Sequence, residues 1–298
     1  MKSVLSTIIF SVLTMGCQRE VGDTGSHSFR VPEYVESTEC GAGYATGNPI
    51  GTVDCQDEKC MVSEGEFWMG SSFSEAECPI HQVTLSSFWI DQYEVTLAEW
   101  QACASQGRCE ALPTHCLNPL YDRPDYTNRF PAICVTWSQA SNYCQGIGGR
   151  LPTEAEWEKS AAGTQAAKWA WGESSPDCSD ANFRLASLYC AAGVKSVGWY
   201  VDSVSSFGLY DVNGNVFEWT ADWYDASYYF NSPSLDPIKK EGLCSMSTEA
   251  SPTECTMKVL RGGAYNTTES TIRNASRSFA SPTIFDVNVG FRCAYDAN

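Results

Sequence analysis

Histidine is nearly absent: His27, His81 and His115 are the only three in 298 residues. Zinc and non-haem iron take imidazole nitrogens or close cysteine pairs. Cys55 and Cys60 stand too far apart for the usual knuckle, so both metals are poor readings. Basic residues are also scarce, with 19 Lys and Arg against 36 Asp and Glu and a net charge of −17. Nucleic-acid phosphates need a basic face and anionic lipid attracts one, so the balance argues against both as electrostatic partners. It leaves an acidic surface that serves solubility or the binding of cations. Charged residues make up only 18%, while hydrophobic residues reach 43% and aromatics 12%, which excludes general disorder and permits a substantial core. The apolar run Val4–Leu13 is too short to span a bilayer as a helix. The length suits one large domain or two small ones.

Cysteine is plentiful, 15 in all, and scattered. In a chain that opens with the basic start Met1-Lys2 and then that apolar run, scattered cysteine reads as the disulfide framework of an exported protein. The run leads into Thr14-Met15-Gly16-Cys17, which resembles a bacterial lipobox, with cleavage before an acylated Cys17. Ordinary cleavage after Gly16 is the alternative. Removing Cys17 from the 15 leaves 14, an even number that can pair completely. The expected organisation is a signal peptide over 1–16 and a polar tether over 17–39. A Cys-containing segment over 40–66 and a main domain over 67–298 follow. The expected location is an outer-membrane lipoprotein, periplasmic or at the cell surface, with the membrane a partner through its lipid anchor.

Three capping boxes mark helices. Thr96-Leu97-Ala98-Glu99, Thr136-Trp137-Ser138-Gln139 and Thr153-Glu154-Ala155-Glu156 share the spacing in which a cap hydroxyl and a third-position side chain satisfy reciprocal backbone donors. They predict helices to Ser105, about Gln145 and about Ala162. Trp157 and Ala161 fall one turn apart and face the core, and Lys159 sits near the helix end, where the macrodipole favours it. Strand signals are short: Val83–Leu85, Phe88–Val95, Met257–Leu260 and Val289–Tyr295. Long stretches rich in Gly, Asn, Ser and Pro separate them. The fold class is α+β.

An ordered set of blocks then stands out: Phe67-Trp68-Met69-Gly70, Tyr93-Glu94-Val95-Thr96, Gly148-Gly149-Arg150-Leu151-Pro152-Thr153-Glu154, Gly208-Leu209-Tyr210-Asp211-Val212-Asn213-Gly214-Asn215-Val216-Phe217-Glu218-Trp219, Arg261-Gly262-Gly263 and Gly290-Phe291-Arg292-Cys293. In this order they resemble the formylglycine-generating enzyme, or sulfatase-modifying factor, family. The resemblance implies a C-type-lectin-like fold with little regular structure. It implies calcium held by Asp211, the carbonyls of Gly214 and Val216, and Glu218. A second calcium site would begin at Asn182 and Phe183, although no carboxylate follows where the family places one. It further implies a Cys144–Cys293 disulfide. Local spacing alone suggests Cys178–Cys190 and Cys244–Cys255.

The same resemblance places two copper-binding cysteines after Arg261-Gly262-Gly263. Thr267 holds the first position and the second falls near Ile272. Ala264 replaces a serine, and no cysteine lies between Cys255 and Cys293. Hydroxyl and aliphatic groups do not substitute for thiolates at a soft Cu(I) ion, so copper and the oxidase chemistry are not expected. The iron-dependent relatives take histidine ligands from an additional helical domain; with three histidines in these 298 residues no such domain is expected here, and His81 is expected to be structural. Loop aromatics remain. Trp157, Trp171 and Trp219 are expected in the core, and Tyr224, Tyr228, Tyr229 and Phe230 on a binding surface. The functional expectation is a non-oxidase module that binds a protein, peptide or glycan. An enzyme working in the same cleft is the alternative, and a purely structural envelope component is a third reading.

Overall fold

The computed structural model describes residues 51–116, 129–248 and 250–297. Cys17, the signal segment and the tether lie outside the described residues. The strands in chain order are β1 (Cys55–Gln56), β2 (Lys59–Val62), β3 (Gly65–Met69), β4 (His81–Leu85), β5 (Phe88–Asp91), β6 (Arg184–Leu185), β7 (Leu188–Tyr189), β8 (Phe217–Trp223), β9 (Leu243–Cys244), β10 (Thr253–Glu254), β11 (Lys258–Arg261), β12 (Ser278–Ala280), β13 (Val289–Gly290) and β14 (Ala294–Asp296). The helices are α1 (Leu97–Ser105), α2 (Trp137–Gly146) and α3 (Glu154–Ala162). Two four-stranded sheets, ordered β1-β2-β5-β14 and β12-β11-β8-β13, carry the architecture, with three two-stranded hairpins around them. Residues 55–62, ahead of the expected domain start at Phe67, supply two strands of the first sheet.

Each helix starts where its capping box predicts. Thr96, Thr136 and Thr153 accept from the backbone N–H of Glu99, Gln139 and Glu156, and each of those side chains returns a bond to the cap backbone. These reciprocal bonds satisfy donors that the first helical turn leaves open. Trp157 and Ala161 are buried together with Phe67, Val83 and Leu209. Lys159 sits in the last turn of α3, as the sequence reading places it, and its side chain turns inward. It is 1% exposed, and its Nζ donates to the carbonyls of Ser63 and Gly65 at 2.8 and 2.9 Å. Burial lowers its pKa to about 8.

Two expected strands are shorter than the sequence pattern suggests. The Phe88–Val95 run ends as a strand at Asp91. Beyond it the chain turns inward, and Val95 exchanges backbone bonds with Phe291 and Ala132 at 2.9 and 2.7 Å. The Val289–Tyr295 run is divided. Residues 289–290 pair in parallel with β8, and residues 294–296 pair antiparallel with β5. Between them the chain crosses from one sheet to the other, and the crossing is fixed by Arg292 and Cys293, both fully buried.

Cys293 bonds Cys144 of α2, with Cα atoms 5.5 Å apart and a sequence separation of 149. In the chain-entropy model, closing a loop of that length contributes about 4–5 kcal/mol. Five further bridges between described residues are short-range: Cys55–Cys60, Cys103–Cys109, Cys116–Cys134, Cys178–Cys190 and Cys244–Cys255. Around the long bridge lies the largest apolar cluster, in which Trp100, Tyr143, Phe217, Trp219 and Phe291 pack against Val135 and Leu151.

Candidate functional site

The segment Asp211–Glu218 runs through the centre of the molecule. Asp211 and Asn215 both adopt left-handed backbone, with φ of +58°. Gly214, at φ +98°, passes so close to Asn182 that an added Cβ would stand 2.3 Å from its carbonyl oxygen. Only glycine fits there. The contact joins this segment to the Asn182 loop: Asn215 N–H donates to the Asn182 carbonyl at 2.8 Å, and Asn182 Nδ2 donates to Asn215 Oδ1 at 3.2 Å. Asn215 Nδ2 in turn donates to Glu94 Oε1 at 2.9 Å.

The calcium ligands implied by resemblance meet different surroundings. Asp211 Oδ2 accepts from Gly198 N–H, and its buried Oδ1 has no hydrogen-bond partner. An orphaned, buried carboxylate oxygen suits a hard cation. Burial raises this carboxyl to about 6, opposed by the Gly198 N–H bond. Glu218 is committed elsewhere. Both of its oxygens accept from Arg292, through Nε and Nη2 at 2.7 Å each, and Trp157 Nε1 adds a third bond at 2.8 Å. For Glu218 to reach a cation it must release part of that set. At the second implied site the carbonyls of Asn182 and Phe183 accept from Asn215 and Cys190 N–H at 2.8 and 2.9 Å. Among the described residues no three His, Cys, Asp or Glu side chains converge as a metal-binding group.

Buried charge recurs around the Arg261-Gly262-Gly263 turn. Arg261, fully buried, pairs with Glu158 and with Glu154 at 3.2 Å. Arg277 grips both oxygens of the same Glu154 at 2.7 and 2.8 Å. Burial pushes the Glu154 carboxyl up, but Arg277 and Arg261 outweigh it and hold it below its ordinary value. Glu158 lacks a second arginine, and burial leaves it above. Glu154 and Glu158 sit on α3 beside its capping box, in a motif the sequence identifies only as a helix start.

The two positions that correspond to copper ligands are closed. Thr267 Oγ1 accepts from Ala264 N–H and donates to the Ala264 carbonyl, at 2.9 Å each. Ile272 is fully buried among Trp169, Ala181 and Phe183. Gly263 packs against it, an added Cβ falling 2.7 Å from Ile272 Cγ2. Cys244 and Cys255 bond to each other, and every described cysteine is in a disulfide. No described thiol remains beside the turn.

The aromatic surface expected at Tyr224–Phe230 needs correction. Tyr224 and Tyr229 are 1% and 3% exposed and belong to the interior. Arg277 lies over both rings, at 5.0 and 4.3 Å from their centroids, and Tyr224 packs on Phe279. Tyr228 is half-buried, and Phe230 alone of the set is exposed. These residues lie in loop and a short 3₁₀ turn, where no periodicity tells an inward ring from an outward one. His81 is structural, with Nδ1 2.9 Å from the Pro79 carbonyl and its ring against Tyr229.

Two buried carboxyls make stability depend on pH. Asp222, accepting from Glu154 and Lys239 N–H at 2.8 and 2.7 Å, is raised by burial to about 7. Asp91 is raised by burial to about 6. Each binds its proton more tightly folded than unfolded, so its contribution to stability is full below the unfolded value and is lost as pH rises through 6–7. Glu154 and Asp225, held low, lose theirs only in more acid solution. Urea unfolding should therefore give a lower free energy at about pH 7.5 than at about pH 5. An equal or higher value at the upper pH contradicts the assignment.

The chain matches the family model described as the sulfatase-modifying factor enzyme 1-like domain over residues 50–297. It is 32% identical to a formylglycine-generating enzyme of Streptomyces coelicolor, covering 78% of this chain and 88% of that protein. It is also 33% identical to a protein of Chlamydia pneumoniae named serine/threonine-protein kinase pkn1, over 81% of this chain. It spans 38% of the length of that relative. Among solved structures, PvdO from Pseudomonas aeruginosa superposes with a TM-score of 0.62 at 26% identity, covering 85% of this chain and all of the other. The ordered motifs, the α+β architecture and the family match agree: this chain belongs to the sulfatase-modifying factor enzyme 1-like domain family.

Proposed function

We propose that this chain is a non-oxidase member of its family, a module that binds a protein, peptide or glycan in an oxidising compartment. The observation that carries the reading is Ile272, buried in an apolar cluster where the family resemblance implies a metal-binding thiolate, together with Thr267 at the other such position. The thirteen described cysteines, all bridged, support both the lack of a reactive thiol and the oxidising compartment. The identity to a formylglycine-generating enzyme favours the second reading, oxidation of a sulfatase-type cysteine or another oxidation in the same cleft. The assay that separates the two supplies Cu(I), oxygen, reductant and a sulfatase-type cysteine peptide. No conversion to formylglycine is expected. Turnover that disappears when Cys244 and Cys255 are replaced restores the enzyme.

Calcium belongs to the same proposal, centred on Asp211 Oδ1 with the carbonyls of Gly214 and Val216. Glu218 would contribute only by loosening its hold on Arg292. A cation that binds the folded chain and not the unfolded one stabilises it by linkage, about 2.7 kcal/mol at a hundredfold excess over the dissociation constant. The thermal midpoint should rise with calcium and fall with chelator, and Asp211→Ala should remove the difference. Equal midpoints in the wild type at saturating calcium remove the site.

A further inference from the structure

A cavity of about 260 Å³ opens beside Tyr93, between the β1–β2 turn, the loop after β5, the start of α1 and β14. The turn residues Asp57 and Glu58 take left-handed backbone, φ +51° and +58°, and place two exposed carboxylates at its rim. Asp91 and Glu99 add two more to its wall. Glu58 meets Arg129 at 3.4 Å, while no lysine or arginine among the described residues pairs with Asp57, Asp91 or Glu99. Glu94, 1% exposed, also lines the cavity, and its Oε2 has no hydrogen-bond partner.

Aromatic rings complete the wall. Tyr93, Tyr143 and Tyr295 line it, and two of them already carry cations of the chain itself. Arg129 lies over Tyr93 at 4.9 Å and Lys59 over Tyr295 at 3.7 Å. Burial, followed by the charges of Glu99 and Asp91, pushes the Tyr143 phenol up. Burial and Asp91 do the same at Tyr295. Both phenols are therefore neutral and add no charge of their own. Lys59 and Arg129 line the cavity against the acids Asp57, Glu58, Asp91, Glu94 and Glu99, so its acids outnumber its bases and favour a further organic cation, with about 0.5–2 kcal/mol more where that cation meets a ring. A metal ion is disfavoured, because the carboxylates do not converge as a ligand set. The volume falls just below that of the usual drug-sized pocket, roughly 300–1,000 Å³, and leaves room for one long side chain.

We propose that this cavity receives the cationic side chain of a lysine or arginine presented by a peptide partner. This rests on the binding reading above and names the chemistry of its ligand. The test uses the purified chain and three capped tripeptides, glycine flanking arginine, lysine or neutral citrulline, titrated by calorimetry at near-physiological salt. The arginine and lysine peptides should bind, and the citrulline peptide at least tenfold more weakly. Glu99→Gln removes a charge but keeps a residue that serves the capping box. It should weaken the arginine peptide about tenfold, roughly 1.4 kcal/mol, with an unchanged unfolding midpoint. Asp57→Asn, at an exposed turn position where asparagine accepts left-handed backbone, gives a second readout in the same direction. Equal binding of the citrulline peptide, or binding indifferent to both substitutions, overturns the proposal as nonspecific adhesion to an acidic protein. Calcium displacing the peptide in wild type but not in Glu99→Gln overturns it in favour of an inorganic ion. Oxidation of a cysteine peptide with arginine-peptide binding intact defeats the non-oxidase reading alone. No oxidation and no peptide binding defeats the cavity alone.

Discussion

The ion pair between Arg292 and Glu218 joins the two sheets at the point where the chain passes from one to the other. Arg292 lies between β13 and β14, and Glu218 on β8. Both are fully inaccessible to water. Arg292 also donates to the carbonyls of Asp91, Gln92 and Tyr210 at 2.9–3.1 Å. It thereby fixes the end of β5 and the entry to the Asp211–Glu218 turn. Three more arginines, Arg261, Arg273 and Arg277, repeat the arrangement with Glu158, Glu77 and Glu154. A fold with few helices and short strands has few ladder bonds with which to satisfy its loops. Guanidinium groups, each with five donors, supply them from the interior. Buried pairs of this kind contribute little net stability against an apolar replacement, but breaking one partner away leaves a costly unpaired charge.

This constraint bears on function. Where the resemblance offers Glu218 as a calcium ligand, the carboxylate already accepts three hydrogen bonds. The metal reading therefore shifts toward Asp211, whose Oδ1 is the unsatisfied atom. Where the resemblance offers two thiolates, the chain packs an isoleucine and ties a threonine hydroxyl back onto its own turn. The same interior that holds the scaffold fills both of those positions. Its acidic and aromatic groups are collected instead at the mouth between β14 and α1.

Local chemistry was the legible part of the sequence. The three capping boxes mark helix starts because a cap hydroxyl and its partner are only three positions apart in the chain. Family motifs pointed to the fold, and the Cys144–Cys293 bridge joins the two blocks from which that pairing was inferred. Long-range charge was not legible. Glu154 reads as a first-turn acid, yet it is held by Arg277, 123 residues away. Lys159 reads only as a cation set against the helix dipole, and its burial was not legible. Tyr224 and Tyr229 read as a surface for the same reason: in loops, neither period 2 nor period 3.6 marks the inward face. The cavity was hidden because Glu99 declares itself only as a cap, and the residues that meet it, Asp91, Tyr143 and Tyr295, lie on three other segments.

A double-mutant cycle between Arg292 and Glu218, read by urea unfolding, tests the central claim that this ion pair locks the turn to both sheets. Arg292→Met and Glu218→Gln should each destabilise by about 3–5 kcal/mol, since each strands a buried partner. The double variant should cost clearly less than their sum, leaving a coupling of at least about 1 kcal/mol. Additive costs, or single variants within about 0.5 kcal/mol of wild type, would contradict the account.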